Sequence, residues 1–299
     1  MTYLITGATG FVGKALVDRL LLAGHNVVYL SRRRNPAMDS RAAFFLWSDP
    51  AGHRPPLETV PRIDGIVHLA GEPVAQRWTP EVKRRIHASR VLATRQLVEA
   101  IASLRHKPKT LVAASAIGFY GDRGDEVLTE KSPAGTGFLA DLCKEWEHEA
   151  DLARQSGLNV IHVRIGVVLG PGGALRKMLP AFRWGLGGRL GDGRQWMSFI
   201  HRDDLLRLLE FALFNEGIPE ILNGTAPQPV TNAEFTRILG RVLSRPAVFP
   251  VPRLGLKALF GEMAEVLLES ARAVPAAAQE SGFSFEYSDL DSALRQILK

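Results

Sequence analysis

Apolar residues recur along the first two thirds of the chain in two alternating patterns. Short continuous apolar runs, typical of strands buried on both faces, occupy residues 3–6, 25–30, 43–47, 64–70, 110–116 and 159–169. Segments with apolar residues at helical spacing lie between them, at residues 11–23, 79–104 and 137–156. This alternation predicts an α/β fold, a Rossmann-like doubly wound parallel sheet covered by helices on both faces.

The pattern changes after Gly170, where shorter elements are separated by Gly and Pro. A glycine-rich loop is predicted over residues 185–194, and helices over 202–214 and 232–243. We expect residues 1–170 to form the Rossmann-like domain, joined by a strand and helix around 199–225. Residues 171–299 should form mainly a smaller C-terminal α+β lobe that closes a substrate cleft.

Composition narrows the class of protein. The 299 residues are 46% hydrophobic and 23% charged, which excludes a disordered chain, and the single cysteine, Cys143, excludes a disulfide scaffold. The net charge of +6 is spread over both halves, so no nucleic-acid partner is expected. Neither a leader nor an apolar run of membrane-spanning length is recognisable, which predicts a cytoplasmic protein with a small-molecule partner and no membrane partner. A homodimer is left open.

A glycine-rich turn, Thr6-Gly7-Ala8-Thr9-Gly10-Phe11-Val12-Gly13, connects the first strand to the first helix. Gly7 permits a tight turn, Gly10 lets the backbone approach a diphosphate, and Gly13 lets the helix press on the sheet. The N–H groups of the helix terminus, at Phe11, Val12 and Gly13, can then bind the anion. The turn predicts a dinucleotide site that includes Thr9.

The end of the second strand predicts which dinucleotide binds. An acidic residue there would hold the ribose 2′-hydroxyl of NAD, whereas a basic one holds the 2′-phosphate of NADP. The sequence reads Ser31-Arg32-Arg33-Arg34 at this point. We therefore expect Arg32, with the Ser31 hydroxyl, to bind the 2′-phosphate of NADP(H), and a solvated basic loop is the alternative.

Together these motifs resemble the extended short-chain dehydrogenase/reductase family, the group of nucleotide-sugar epimerases and dehydratases. The similarity includes TGATGFVG at 6–13, HLAG at 68–71, Phe119-Tyr120-Gly121, Val163-Arg164, Phe199-Ile200-His201 and Leu222-Asn223-Gly224. A closer similarity is to its YfcH/SulA-like branch, whose C-terminal domain of unknown function the chain resembles from about residue 249. The resemblance implies further cofactor contacts at Leu69, Ala70, Gly71, Arg90 and Val168. The alternative to these cofactor contacts is packing in the sheet or, for Arg90, a place on a solvent-exposed helix face.

The catalytic pair of that family, Tyr-x-x-x-Lys, is missing. The residues four positions after the tyrosines Tyr3, Tyr29, Tyr120 and Tyr287 are Gly, Arg, Gly and Asp. If Glu147 is aligned with the glutamate that commonly follows the pair, the Tyr and Lys positions hold Leu139 and Cys143. Neither side chain can replace the pair.

Two candidates for the chemistry, Ser115 and Tyr120, come from the same resemblance. Ser115 matches the active-site hydroxyl, and Tyr120 is the best remaining proton donor, although backbone bonding and packing are their alternative roles. Glu72, Trp196 and His201 are candidate substrate contacts. The histidines lack metal-ligand spacing, so no metal is expected.

Two functions follow as hypotheses. The first is an NADP-dependent oxidoreductase or epimerase that acts on an unidentified small polar substrate. The second is a non-catalytic NADP(H) sensor or regulator, which the missing Tyr-x-x-x-Lys pair favours.

Overall fold

A seven-stranded parallel sheet forms the centre of the protein, which we describe from a computed structural model covering residues 1–60 and 62–299. Its strands are β1 (Thr2–Thr6), β2 (Asn26–Ser31), β3 (Ala43–Leu46), β4 (Gly65–His68), β5 (Thr110–Ala116), β7 (Asn159–Ile165) and β11 (Ile221–Gly224). They lie in the order β11-β7-β5-β4-β1-β2-β3, and every neighbouring pair is parallel. The predicted doubly wound Rossmann-like fold is thus confirmed.

Helices cover both faces of this sheet. They are α1 (Phe11–Leu22), α2 (Pro80–His87), α3 (Ala93–Ser103), α4 (Phe138–Asp151) and α6 (Arg202–Phe214). One buried core contains Leu16 of α1 and Leu208 of α6, and a second on the opposite face contains Leu97 of α3. Removing these apolar side chains from water on both faces stabilises the layered arrangement.

The remaining elements lie in or near the C-terminal lobe. They are β6 (Val127–Leu128), β8 (Val167–Leu169), β9 (Trp196–Met197), β10 (Phe199–His201), β12 (Val230–Thr231), β13 (Arg272–Ala273), α5 (Gly173–Arg183), α7 (Asn232–Leu243), α8 (Arg253–Phe260), α9 (Met263–Val266), α10 (Ala276–Glu280) and α11 (Leu290–Leu298). The strands pair as β8 with β10, β9 with β12 and β6 with β13. None of the helices in the described ranges combines the length and apolar character needed to cross a bilayer.

Two predicted elements are wrong in detail. The single strand predicted over 159–169 is divided at Gly166, where a Cβ would lie 2.4 Å from the Ser198 carbonyl oxygen. The chain leaves the main sheet there, and β8 pairs with β10 instead. The helix predicted over 79–104 is interrupted by a π-helical turn at Ala88–Leu92, a feature often found at functional sites.

Candidate functional site

The glycine-rich turn lies where the strand order reverses, between β1 and β4. Gly7 has a φ of +68°, and a Cβ there would lie 2.6 Å from the Leu69 carbonyl carbon. At Gly13 a Cβ would lie 2.3 Å from the Gly7 carbonyl oxygen. Only glycine fits these two positions, so the turn can hold the backbone close both to β4 and to a ligand at the switch point.

The N-terminus of α1 is available to an anion. Gly10 is the N-cap residue, and within the described residues no side chain caps the helix and no acidic residue lies in its first turn. Thr9 and Gly10 are exposed, and Phe11 and Val12 are half-buried. Such a terminus suits the negatively charged diphosphate of a dinucleotide, so this part of the chain fits the implied cofactor.

The predicted 2′-phosphate contacts lie at the end of β2, on the same edge of the sheet. Ser31 is the last residue of the strand and is half-buried, whereas Arg32, Arg33 and Arg34 are exposed. Their guanidinium groups are therefore accessible to a ligand phosphate.

A series of buried hydrogen bonds holds the segment that follows β4 in place. The Thr6 hydroxyl and the His68 Nδ1 are 2.6 Å apart, His68 Nε2 lies 2.9 Å from the Thr94 hydroxyl, and the Ala70 N–H donates to Thr6 Oγ1. Burial, with a smaller effect of Arg90, lowers the pKa of His68 to about 4. His68 is therefore a neutral structural residue at neutral pH.

Arg90 lies against the same segment, because the π-helical turn carries it there. Its Nη1 donates to the Glu72 carbonyl oxygen at 2.9 Å, and its guanidinium lies 5.2 Å from the Trp146 ring centroid. A Cβ on Gly71 would come within 2.9 Å of the Arg90 Cζ. Burial lowers the pKa of Arg90. Arg90 therefore positions residues 70–72. It does not lie on a solvent-exposed helix face, which was the alternative that the sequence left open.

A buried polar network joins β5, α4, β7 and β11. Ser115 Oγ donates to Glu147 Oε1 at 2.6 Å, and Arg164 binds both Glu147 oxygens at 2.8 and 2.9 Å. Arg164 Nη1 also donates to the Tyr120 hydroxyl, which itself donates to Asn223 Oδ1 at 2.7 Å. The sequence motifs contain Arg164 and Asn223, but their linear pattern does not reveal this network.

The network changes the interpretation of Tyr120. Its side chain is fully buried, its hydroxyl proton is used by Asn223, and burial raises its pKa. A phenol in this position has neither access to a substrate nor an acidity suited to neutral pH. The structure therefore favours the packing role for Tyr120 over the role of proton donor.

The positions of the missing catalytic pair contain no replacement for it. Cys143 is buried beside Ser115, and burial, with a smaller contribution from Glu147, raises the pKa of its thiol to about 11. Leu139 contacts Gly118 and borders a cavity of about 180 Å³. Glu269 also lines this cavity, and burial together with Asp122 and Glu265 raises its pKa. No motif surrounds Glu269, so the sequence alone does not identify it as a candidate.

Two of the predicted substrate contacts have structural partners. His201 is buried: its Nδ1 accepts from the Asp203 N–H at the start of α6, and its Nε2 lies 2.9 Å from Gln296 Oε1. Because both ring nitrogens are used internally, this environment favours a structural role for His201, and its role as a substrate contact stays a prediction. Trp196 is half-buried, donates to Asp125 and stacks on Arg272, with 4.1 Å from the guanidinium to the ring centroid.

The predicted cofactor contact Val168 lies just before a segment that packs on the glycine-rich turn, and the third predicted substrate contact, Glu72, lies beside Arg90. Val168 is half-buried in β8, and the segment 170–173 that follows packs on the ring of Phe11. Glu72 is half-buried and accepts from Gln76. Among the described residues, no group of three His, Cys, Asp or Glu side chains could hold a metal ion.

A cleft of about 640 Å³ opens between the loop at 122–125 and the C-terminal lobe. Arg189, Arg194 and Arg253 line it together with aspartates that are held by other donors. Asp122 accepts from the Ser270 N–H, and Asp192 accepts from the Arg194 N–H. The cleft therefore presents three guanidinium groups and three carboxylates, those of Asp122, Asp125 and Asp192, to a polar ligand.

Comparison with known proteins gives consistent matches over the whole chain. Residues 3–223 match the NAD dependent epimerase/dehydratase family, and residues 251–297 match a domain of unknown function, DUF1731. The chain is 43% identical over 312 residues to the chloroplastic SDR39U1 homolog of Arabidopsis thaliana, covering 100% of this chain and 87% of that protein. It is 37% identical to YfhF of Bacillus subtilis, in a match that covers 100% of this chain and 98% of that protein.

A solved structure is similar as well. The human epimerase family protein SDR39U1 (isoform 2), crystallised with NADPH, superimposes with a TM-score of 0.88 at 34% identity, and 99% of each chain is covered. These matches confirm the predicted family and its C-terminal domain. The relatives named here are SDR39U1 proteins and YfhF, so the narrower YfcH/SulA-like assignment stays a prediction. With a family model matched over most of its length and similar relatives along its whole length, the chain belongs to the NAD dependent epimerase/dehydratase family.

Proposed function

We propose that this protein is an NADP(H)-dependent oxidoreductase of the epimerase type that acts on a small, negatively charged substrate. The observation that carries the proposal is the glycine-rich turn at the switch point of the sheet, with Arg32 exposed at the end of the neighbouring strand. The human relative crystallised with NADPH supports the choice of cofactor. Bound there, the nicotinamide would supply hydride transfer.

Arg32 provides the test of the cofactor. Arg32→Ala should weaken NADPH binding by about 1 to 3 kcal/mol, because one charge-assisted contact to the 2′-phosphate is lost. NADH, which lacks that phosphate, should bind the variant as it binds the wild type. Both affinities can be measured by calorimetry. Arg105→Ala, at another exposed arginine, is the matched control, and equal weakening of both cofactors by Arg32→Ala would refute the assignment.

The substrate class follows from the cleft. The guanidinium groups of Arg189, Arg194 and Arg253 support a ligand with phosphate or carboxylate groups. We infer that the predicted small polar substrate carries such an anionic group, which these arginines orient, while the aspartates of the same cleft accept from its hydroxyl groups.

Ser115 and Glu269 are the residues to which we assign the chemistry. The Ser115 hydroxyl donates its proton to Glu147, and in this proposal its oxygen accepts a hydrogen bond from a hydroxyl group of the substrate. Glu269 has a raised pKa and lines the cavity at Leu139, where the family tyrosine is missing. A carboxyl group whose pKa is raised toward the working pH is a better proton donor than the buried Tyr120.

A non-catalytic NADP(H) sensor is the second candidate function, favoured by the loss of the Tyr-x-x-x-Lys pair. The enzyme should oxidise NADPH in the presence of a substrate, whereas the sensor should not. NADPH oxidation can be screened spectrophotometrically over anionic carbonyl compounds. We expect the wild type to oxidise NADPH in a substrate-dependent way. The rate should fall about 100-fold in Glu269→Gln and should also fall in Ser115→Ala, while both variants keep the NADPH affinity of the wild type. Tyr120→Phe should retain the activity per folded molecule. Bound NADPH with no oxidation by any compound would favour the sensor.

The remaining parts of the proposal concern location and assembly. The single buried cysteine supports a reducing compartment such as the cytoplasm. A homodimer stays a prediction, to be tested by the sedimentation of the purified protein.

A further inference from the structure

Exposed apolar side chains are concentrated in two neighbouring segments of the C-terminal lobe. Of the eleven large apolar residues that are exposed within the described ranges, six lie in the segments 184–190 and 245–259 and are 58% to 82% exposed. These six are Trp184, Leu186, Val248, Phe249, Leu254 and Leu259. Apolar residues exposed singly are ordinary on a protein surface, but a group of this size marks an interaction site.

The backbone brings these residues together. Segment 183–191 lies beside segment 245–251: Arg245 Nε donates to the Arg183 carbonyl oxygen at 3.1 Å, and the Val251 N–H donates to the Arg189 carbonyl oxygen at 2.8 Å. Helix α8 follows directly and is anchored by Leu256, which is buried. We call the exposed residues of 183–190 and 245–259 the apolar-basic face.

The charge of this face has a single sign. Arg183, Arg189, Arg245, Arg253 and Lys257 are all exposed. Residues 173–190 and 244–260 contain no Asp or Glu, and the nearest acids along the chain are Asp192 and Glu262. The acidic side chains nearest to the face in space, those of Asp122, Asp125 and Asp192, lie in the cleft that Arg189 and Arg253 also line. The face itself, with apolar side chains among cations, is complementary to an anionic lipid surface, which attracts the cations and accepts the apolar groups.

We propose that the apolar-basic face docks on the surface of an anionic membrane. The expectation of no membrane partner rests on the absence of a spanning run, and a surface contact needs none. A second copy of the chain is a poorer occupant, because a symmetric interface would place these cations against the same cations. The aliphatic residues Leu186, Leu254 and Leu259 suit hydrocarbon better than they suit nucleic-acid bases.

Docking would also place the cleft beside the lipid surface. Arg189 and Arg253 belong to the face and line the cleft as well. An anionic, partly apolar substrate could then enter from the membrane without crossing bulk water. This consequence depends on the proposed function, whereas the docking itself does not.

Flotation with lipid vesicles tests the proposal on the full chain. We expect the protein to float with vesicles of equal phosphatidylcholine and phosphatidylglycerol, and to stay behind with phosphatidylcholine alone. High salt should release it, because cations at the surface are screened. Emission from Trp184 should shift to the blue on binding, since Trp47, Trp78 and Trp146 are already buried.

Two double substitutions separate the apolar contribution to membrane binding from the electrostatic one. The double change Leu186→Ser and Leu254→Ser should remove the apolar contact and abolish flotation. The double change Arg245→Gln and Lys257→Gln should weaken binding roughly 25-fold, since each cation contributes about fivefold at an anionic surface. Leu22→Ser and Arg105→Gln, exposed elsewhere, are the matched controls and should bind as the wild type does.

NADPH affinity, measured on every variant, shows that each one is folded and keeps this test separate from that of the proposed function. Failure to float with the anionic vesicles at low salt would overturn the proposal. Equal flotation of the Leu186/Leu254 variant and the wild type would also overturn it. So would concentration-dependent dimerisation that Leu254→Ser removes, because the face would then be covered by a second copy.

Discussion

Single residues in this protein show how burial decides between chemical and structural roles. Tyr120 and His201 carry groups suited to proton transfer, yet both are buried with their polar atoms bonded internally. Glu269 lies in no recognisable motif, yet its side chain lines a cavity and the pKa of its carboxyl group is raised. The residue type alone therefore does not identify the proton donor, because solvent access and hydrogen-bond partners determine its acidity.

His68 makes stability depend on pH in a defined range. Burial lowers its folded-state pKa from 6.5 to about 4, so the unfolded state binds the proton more readily between these values. Its contribution is fully present above pH 6.5 and is lost as the pH falls toward 4. The free energy of unfolding should fall by about 3 kcal/mol from this group.

Denaturant unfolding of His68→Gln across that range provides the measurement. The difference between variant and wild type should shrink as the pH falls, whereas His106→Gln, an exposed histidine, should follow the wild type throughout. A pH profile of His68→Gln parallel to that of the wild type would contradict the assignment.

At the scale of elements, one ion pair connects the helix α4 to the sheet. Glu147 of α4 and Arg164 of β7 are both buried, and they bind Ser115 at the end of β5 and Tyr120 after it. A buried pair of this kind is costly to break, because one partner is left charged without compensation. The pair holds Ser115 in place and fixes the position of α4.

Removing one partner of that pair should be strongly destabilising. Glu147→Leu should lower the free energy of unfolding by about 3 to 5 kcal/mol, measured by urea unfolding. Combining it with Arg164→Met should recover much of that loss, since no uncompensated charge then remains buried. Glu145→Leu, exposed on the same helix, is the control. A change within about 0.5 kcal/mol in Glu147→Leu would show that the pair is not structural.

For the whole molecule, the sheet order and the C-terminal lobe define two regions with different chemistry. The reversal of strand order between β1 and β4 creates the crevice expected for a dinucleotide. The C-terminal lobe adds the arginine-lined cleft and, on its outer side, the apolar-basic face. The proposed function depends on the first two features, and the membrane contact depends on the last.

The sequence by itself determined the parallel sheet, its helices and the dinucleotide turn. Strand and helix periods and the spacing of Gly7, Gly10 and Gly13 are local properties, so they can be read along the chain. The end of the second strand likewise identified Arg32 as a candidate phosphate contact. The break at Gly166 and the π-helical turn at Arg90 escaped prediction, since the residues that contact them, Ser198 and Glu72, lie far away along the chain.

Only the tertiary structure decided which candidate side chains face a cavity. Burial of Tyr120 against Asn223, the joining of Ser115 to Glu147, and the place of Glu269 beside Leu139 all link segments far apart in the chain. The apolar-basic face is also assembled from two segments about 60 residues apart, whose backbones meet at Arg183 and Arg245. Such groupings depend on long-range packing, which no local pattern of residues encodes.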